Sequence, residues 1–164
     1  GIAAYKACEV VRALVKEGHL VKVIMTKNAE KFVSPLTFSA LSNHAVFLDD
    51  YLDSKTNGTE HIDLAKWADA IVIAPATANC IGKLAQGIVD DALTTVASAF
   101  SGAITICPAM NTEMFLQANT QENLSLLRKR GLNIVEPISG ELACGDVGIG
   151  KMAEPLDIIK SLLF

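Results

Sequence analysis

The chain has 164 residues, 51% of them hydrophobic and 20% charged, with a formal net charge of -4. That length supports one domain with its own core, the composition excludes a disordered chain, and the negative balance gives no electrostatic footprint for nucleic acid. No apolar run approaches the ~18 residues that a membrane span requires, and Cys8, Cys80, Cys107 and Cys144 show neither CxxC pairing nor metal-ligand spacing, as expected for free thiols in a reducing, cytoplasmic setting.

Gly1-Ile2-Ala3-Ala4 leads straight into a helix expected to reach about Glu17, with Val10, Val11, Leu14 and Val15 on its buried side and Gly18 as its stop. A sheet built from such units wants a strand ahead of Gly1, so the first strand is expected to lie outside this sequence, with Gly1 in its strand-to-helix turn. Leu20 to Met25 reads as a strand followed by Thr26, and Lys27 to Phe32 as helical. Pro35 to about Ser42 reads as a helix with Ser34 as its cap. Ala45 to Leu48 fits a short strand, the polar stretch Asp49 to Glu60 a surface loop with an Asn57-Gly58 turn, and His61 to Trp67 a short helix. Ala70 to Ala74 is a short apolar run, rich in β-branched residues, suited to a strand buried on both faces, which Pro75 is expected to stop. Ala76-Thr77-Ala78-Asn79 then forms a turn capped by Thr77, and Ile81 to Gln86 a helix ended by Gly87.

Asp90 and Asp91 suit the start of a helix running to about Phe100. Ala103 to Cys107 reads as a strand, Pro108-Ala109-Met110-Asn111 as a loop at its end, Asn119 to Arg130 as an amphipathic helix closed by Gly131, and Asn133 to Val135 as a strand. Pro137 to Glu154 is glycine-rich and aperiodic, which predicts a long functional loop or flap, and Pro155 opens the last helix. With no repeat and no linker, residues 1–164 read as a single domain. The alternation of strand and helix predicts a doubly wound α/β architecture with a parallel sheet.

In open sheets of that kind, ligands bind where strands end and helices begin, because first-turn N–H groups lack partners and the dipole is positive there. Three turns qualify: Gly1-Ile2, Thr26 to Asn28, and Ala76 to Asn79. No GxGxxG is complete, so the dinucleotide fingerprint is absent. His61, as a lone histidine, reads more readily as a surface or capping residue than as a base, and Asn111 equally as a turn residue or a ligand contact. Cys144, beside Gly145 in a loop, tilts towards reactivity, whereas Cys8, Cys80 and Cys107 read as packed thiols and His19 and His44 as structural.

Four stretches together carry a family resemblance: Gly1 to Lys6; His61 to Asp69; Ala74 to Asp91; and the pair Pro108 to Met114 with Gly140 to Asp146, continued by Gly150 to Pro155. On these the chain resembles the homo-oligomeric flavin-containing cysteine decarboxylases, most closely the branch acting on 4'-phosphopantothenoylcysteine. It departs from the family pattern at Phe115, where a Trp usually follows the second Met, a difference expected to affect packing. The resemblance implies a three-layer αβα Rossmann-like fold assembled as trimers or a multiple of three, with FMN between subunits. It implies flavin contacts at Gly1, Ile2, Thr26, Lys27, Asn28, Thr77, Ala78, Asn79, Cys80 and Ala109. It further implies His61 as the base, Asn111 on the substrate carboxylate and amide, Ala143 and Met152 along the substrate, and Cys144 as proton donor. The implied reaction converts 4'-phosphopantothenoylcysteine to 4'-phosphopantetheine, a step towards coenzyme A. Two rivals follow from the same resemblance, a decarboxylase of C-terminal cysteine in peptides and a non-catalytic FMN-binding regulator; some relatives also fuse this domain to a synthetase.

Overall fold

The computed structural model describes residues 1–49 and 58–162. Its first half runs α1 (Ala4–Lys16), β1 (Ile24–Met25), α2 (Pro35–Ser42), β2 (Phe47–Leu48) and α3 (Glu60–Trp67). Next come β3 (Ala70–Ala76), α4 (Ala78–Gln86), α5 (Ala92–Ala99), β4 (Ala103–Pro108), α6 (Thr112–Leu116) and α7 (Ala118–Lys129). The chain ends with β5 (Asn133–Ile134), β6 (Ile138–Glu141), β7 (Val147–Lys151) and α8 (Pro155–Lys160).

Strands β3, β4 and β5 pair in parallel in that order, β1 and β2 form a second parallel pair, and β6 and β7 an antiparallel hairpin. Side chains alternate across β3 and β4. Ile71, Ile73, Ile104 and Ile106 pack into a cluster with Ile81, Ala85, Leu124 and Leu127 from α4 and α7. Val72, Ala74 and Cys107 pack on the opposite side with Val10 and Leu14 of α1 and Ile158 of α8. Helices therefore cover both faces of the parallel sheet, which is why its strands read as near-continuous apolar runs. Phe115 lies in the first cluster at 6% exposure, so the aromatic that replaces the family's Trp is a packing residue.

Side-chain caps set the starts of α2, α4 and α5. Ser34 Oγ accepts from Leu36 N at 3.2 Å, and Thr77 Oγ1 accepts from Cys80 N at 3.3 Å. Asp91 and Thr94 form a reciprocal capping box at α5. Lys83 of α4 reaches Asp90 at 2.6 Å and Asp91 at 2.8 Å, tying α4 to α5. Burial alone would raise the Asp91 carboxyl, but Lys83 and the Thr94 donors hold it below its ordinary value, while the two carboxylates push Lys83 up.

Several expectations are corrected. Pro75 does not stop its strand: β3 continues to Ala76, with a cis Ala74–Pro75 bond and a register shift between Ile73 and Ala76, so the proline falls where the ladder needs no N–H. Lys27 to Phe32 is a run of turns, not a helix; Ala29 N closes onto Thr26 O at 2.7 Å and Phe32 N onto Ala29 O at 3.0 Å. The strand expected at Leu20 to Met25 is confined to Ile24–Met25. A short helix, α6, follows Asn111 where only a loop was expected. Pro137 to Glu154 is organised around the β6–β7 hairpin. Most of the expected Asp49 to Glu60 loop, Asn57 included, lies outside the described residues.

Lys6 is the one buried lysine among the described residues, at 6% exposure. Its ammonium donates to Glu154 Oε1 at 2.8 Å and to the Met152 carbonyl at 3.3 Å, so α1 clasps the segment leaving β7. The Lys6 hydrogen bond holds the Glu154 carboxyl below its ordinary value. Replacing Lys6 by Met should lower stability by about 1–3 kcal/mol, the scale for a hydrogen bond to a charged group, measured as a shifted urea midpoint. A depressed carboxyl contributes stability that is complete above its unfolded value and lost as pH falls through its folded value. The gap between wild type and Lys6→Met should therefore be widest near neutrality and shrink in acid below about pH 4.

Candidate active site

Because β3 and β4 run parallel, their carboxyl ends share one edge, and small residues line it. Ala109 N donates to Ala76 O at 2.9 Å, so the turns after β4 and β3 are neighbours. A side chain built on Gly1 would meet the Thr77 methyl at 3.6 Å, which places the entry to α1 beside the α4 cap. Gly1, Thr77, Ala78 and Ala109 thus present little side chain along a ledge, with Ala76 buried beneath it. The Cys80 N–H at this helix start is already taken by Thr77, leaving those of Ala78 and Asn79 towards the ledge.

The turn Thr26–Lys27–Asn28 is held from another direction. Asp49 accepts from Lys27 N and from Ala92 N, both at 2.7 Å, so one carboxylate joins that turn to the start of α5. His61 sits half-buried in the first turn of α3, and α3 packs chiefly against α5. Both the Thr26–Asn28 turn and His61 are thus tied to α5, one through Asp49 and the other through α3.

Asn111 caps α6, its Oδ1 accepting from Glu113 N at 2.8 Å. With the oxygen committed, the amide nitrogen is directed at the hairpin, 3.7 Å from Cys144 Sγ and 3.3 Å from Asp146 Oδ2. The Cys144 thiol in turn donates to the same Asp146 oxygen at 3.2 Å. The loop carrying them is closed by Gly145 N to Leu142 O at 2.9 Å and Leu142 N to Asp146 O at 2.8 Å, with Gly145 at φ +89.

Glycines dock this hairpin. Met110 N donates to Gly150 O at 3.0 Å, and a Cβ on Gly150, whose φ is +138, would collide with the Met110 carbonyl. A Cβ on Gly148 would likewise collide with the Thr112 side chain. The strand therefore lies directly on the segment that presents Asn111.

Sequence-picked residues thus fall into three groups. Asn111 and Cys144 are brought together, with Ala143 exposed at the same tip. Gly1, Ile2, Thr77, Ala78, Asn79, Cys80 and Ala109 line or back the ledge, while Thr26, Lys27, Asn28 and His61 are connected through α5. Met152 is 1% exposed in the core with Val10 and Leu14, so its side chain faces inward and its carbonyl is used by Lys6. Burial pushes the Cys80 and Cys107 thiols up to about 12 and raises Cys8, which leaves exposed Cys144 as the accessible thiol among the described residues. Sequence reasoning gave no role to Asp146 or Asp49; Asp146 stood two residues from a chosen cysteine, and only the hairpin turn reveals their contact. Among the described residues, no group of three or more His, Cys, Asp or Glu side chains could hold a metal, and no helix is long and apolar enough to cross a membrane.

The sequence profile described as Flavoprotein matches residues 1–163. The coenzyme A biosynthesis bifunctional protein CoaBC of Bacillus subtilis (strain 168) is 51% identical over 160 residues, covering 98% of this chain and 39% of that protein. The chain thus spans well under half the length of such relatives. Among solved structures, a cysteine-to-serine mutant of PPC decarboxylase complexed with pantothenoylaminoethenethiol superposes with a TM-score of 0.86 at 34% identity, over 97% of this chain and 89% of that one. The FMN-dependent cysteine decarboxylase SpaF gives 0.81 at 30% identity, over 98% and 91%.

Replacing Gly150 by Ala should unseat the hairpin, because the added carbon meets main chain that cannot swing away. Limited proteolysis should then cleave between Leu142 and Asp146 several-fold faster than in wild type, with the remaining core still folded by circular dichroism. Unchanged cleavage would show that the hairpin is held by other contacts.

Proposed function

The chain belongs to the Flavoprotein family, and from that premise we propose that it carries out the FMN-dependent decarboxylation of 4'-phosphopantothenoylcysteine to 4'-phosphopantetheine in coenzyme A biosynthesis. The observation that carries the reading is the meeting of Asn111 and Cys144 at 3.7 Å, an amide donor and a thiol acid side by side. The 51% identity to a coenzyme A protein supports the small-molecule substrate over a peptide. Presence of His61, Asn111 and Cys144 together supports an enzyme over a non-catalytic regulator.

The ledge suits a flat cofactor with an anionic tail. Gly1, Ala78 and Ala109 present little side chain, and the α4 start offers N–H donors towards negative charge. Gly1, Ile2, Thr77, Ala78, Asn79, Cys80 and Ala109 would hold FMN, together with Thr26, Lys27 and Asn28. When bound, FMN supplies the electron sink that a cysteine carboxylate lacks, accepting hydride from the carbon bearing the thiol and returning it later. His61 takes the thiol proton, the role an imidazole fills near neutral pH. Asn111 holds the carboxylate. Once the sulfur-bearing carbon is oxidised to a thioaldehyde, carbon dioxide leaves from the β position and an enethiolate remains. Cys144 then places its S–H proton on the carbon that lost the carboxylate. The hairpin shields that step from water.

On this reading the site is completed between copies of the chain, as the resemblance to homo-oligomeric decarboxylases implies. Exposed Ile2 and Tyr5 at the start of α1 and Val147 on β7, at 56%, 54% and 81% exposure, would be covered in such an assembly. Light scattering should give a trimer or a multiple of three that binds FMN; a stable flavin-bound monomer would contradict this.

The test of function is carbon dioxide release on mixing the FMN-loaded protein with 4'-phosphopantothenoylcysteine. His61→Asn should bind FMN yet fail to bleach its absorbance with substrate. Cys144→Ser should release carbon dioxide once and stall with a decarboxylated enethiol, since a serine hydroxyl is a far weaker acid than a thiol. Product at the wild-type rate from Cys144→Ser would remove the thiol from the mechanism.

A further inference from the structure

Asp146 has no part in the chemistry described so far, yet it sits at the centre of the cluster. One oxygen, Oδ2, accepts from Cys144 Sγ at 3.2 Å and from Asn111 Nδ2 at 3.3 Å, and the two donors lie 3.7 Å apart. The three atoms form a closed triangle in which turning any one side chain breaks two contacts. Two corners are also anchored from behind: Asn111 through Glu113 N at 2.8 Å, and Asp146 through its carbonyl, which accepts from Leu142 N at 2.8 Å. A carboxylate is the side chain for this place, because it only accepts and can take several donors at once.

Resting on the decarboxylase reading, we propose that Asp146 is a positioning residue that fixes the Cys144 thiol and the Asn111 amide relative to each other. Asn111 sets where the carboxylate leaves, and Cys144 must deliver its proton to the carbon left behind. In that step the S–H bond breaks, the C–H bond forms, and the electron pair of the enethiolate carbon receives the proton; Asp146 neither gains nor loses one. Its contribution is the fixed separation between the acid and the group that marks its target.

Two measurements test this, one of them independent of turnover. Thiol modification at Cys144, followed by mass spectrometry, compares a dianionic nitrobenzoate disulfide with a neutral pyridyl disulfide. The ratio of the two rates removes general changes in thiol reactivity and reads the charge beside the sulfur. Asp146→Asn and Asp146→Ala should both raise the anionic-to-neutral ratio about fivefold, the scale of one charge a few ångströms away in water. An unchanged ratio would overturn the proposal, because the carboxylate would not sit beside the thiol in solution.

In anaerobic single turnovers of the FMN-loaded variants with 4'-phosphopantothenoylcysteine, Asp146→Ala should release carbon dioxide normally and complete reprotonation about tenfold more slowly, as for one lost positioned hydrogen bond. KM should hold, and Asp146→Asn, which keeps one acceptor oxygen, should recover part of the loss. A lowered KM with kcat intact would also overturn the proposal, showing that Asp146 merely competes with the substrate carboxylate for Asn111. Failure of the wild type to release carbon dioxide would sink the decarboxylase reading instead, and the reagent ratio would still decide whether Asp146 holds the thiol.

Discussion

The contact between Gly150 and Met110 is the constraint on which the rest of the site depends. A main-chain hydrogen bond of 3.0 Å joins them at a spacing no side chain could share. With Gly148 pressed against Thr112 in the same way, β7 lies flat over residues 110–112. Asn111 is caught between those two contacts, and the hairpin tip is carried over it. Glycine here serves close approach more than suppleness, and the hairpin is a docked piece of structure with a defined register, Glu141 opposite Val147.

That explains which parts of the molecule could be read from the chain and which could not. Strands β3 and β4 were plain because both their faces are buried, so each position is apolar or small for a packing reason. The caps Ser34, Thr77 and Asp91 were plain because their chemistry is local to a few residues. The hairpin was not, since Gly140, Gly148 and Gly150 have no side chains to display a two-residue alternation, and the ladder slips between Ile138 and Ser139. Lys27 to Phe32 misled for a different reason. Asp49, distant in sequence, takes the Lys27 N–H, and the segment closes as successive turns instead.

At the site, residue types were legible and pairings were not. A cysteine beside glycine stood out, and so did an asparagine after a strand. Their union required knowing that residues 110–112 and 148–150 touch, a long-range main-chain fact with no local signature. The four cysteines make the same point from the other side. Cys80 and Cys107 are pushed up to about 12 by burial within the core, which withdraws them from chemistry at neutral pH, and that followed from their places in regular elements. What Cys144 gains from Asp146 followed from nothing in the local pattern, because a carboxylate two residues on faces a neighbour only when the intervening residue, Gly145, turns the chain left-handed.

The architecture divides the work between a fixed part and an applied part. The ledge is built from strand ends whose positions are set by the central sheet, and a shift of one residue there would carry every buried isoleucine to the wrong face. The hairpin has almost no core of its own; Ile138 and Val147 are exposed, and only Gly150 among its strand residues is buried. Its placement comes from the Met110–Gly150 contact at one end and from Lys6, which gathers Met152 and Glu154 at the other. A sheet edge is restrained by the packing on both its faces, whereas a hairpin fastened at two places can carry other residues at its tip without disturbing the fold. On the proposed function, the group that would hold a cofactor is thereby separated from the group that would meet the substrate, and only the second would need to change with the substrate.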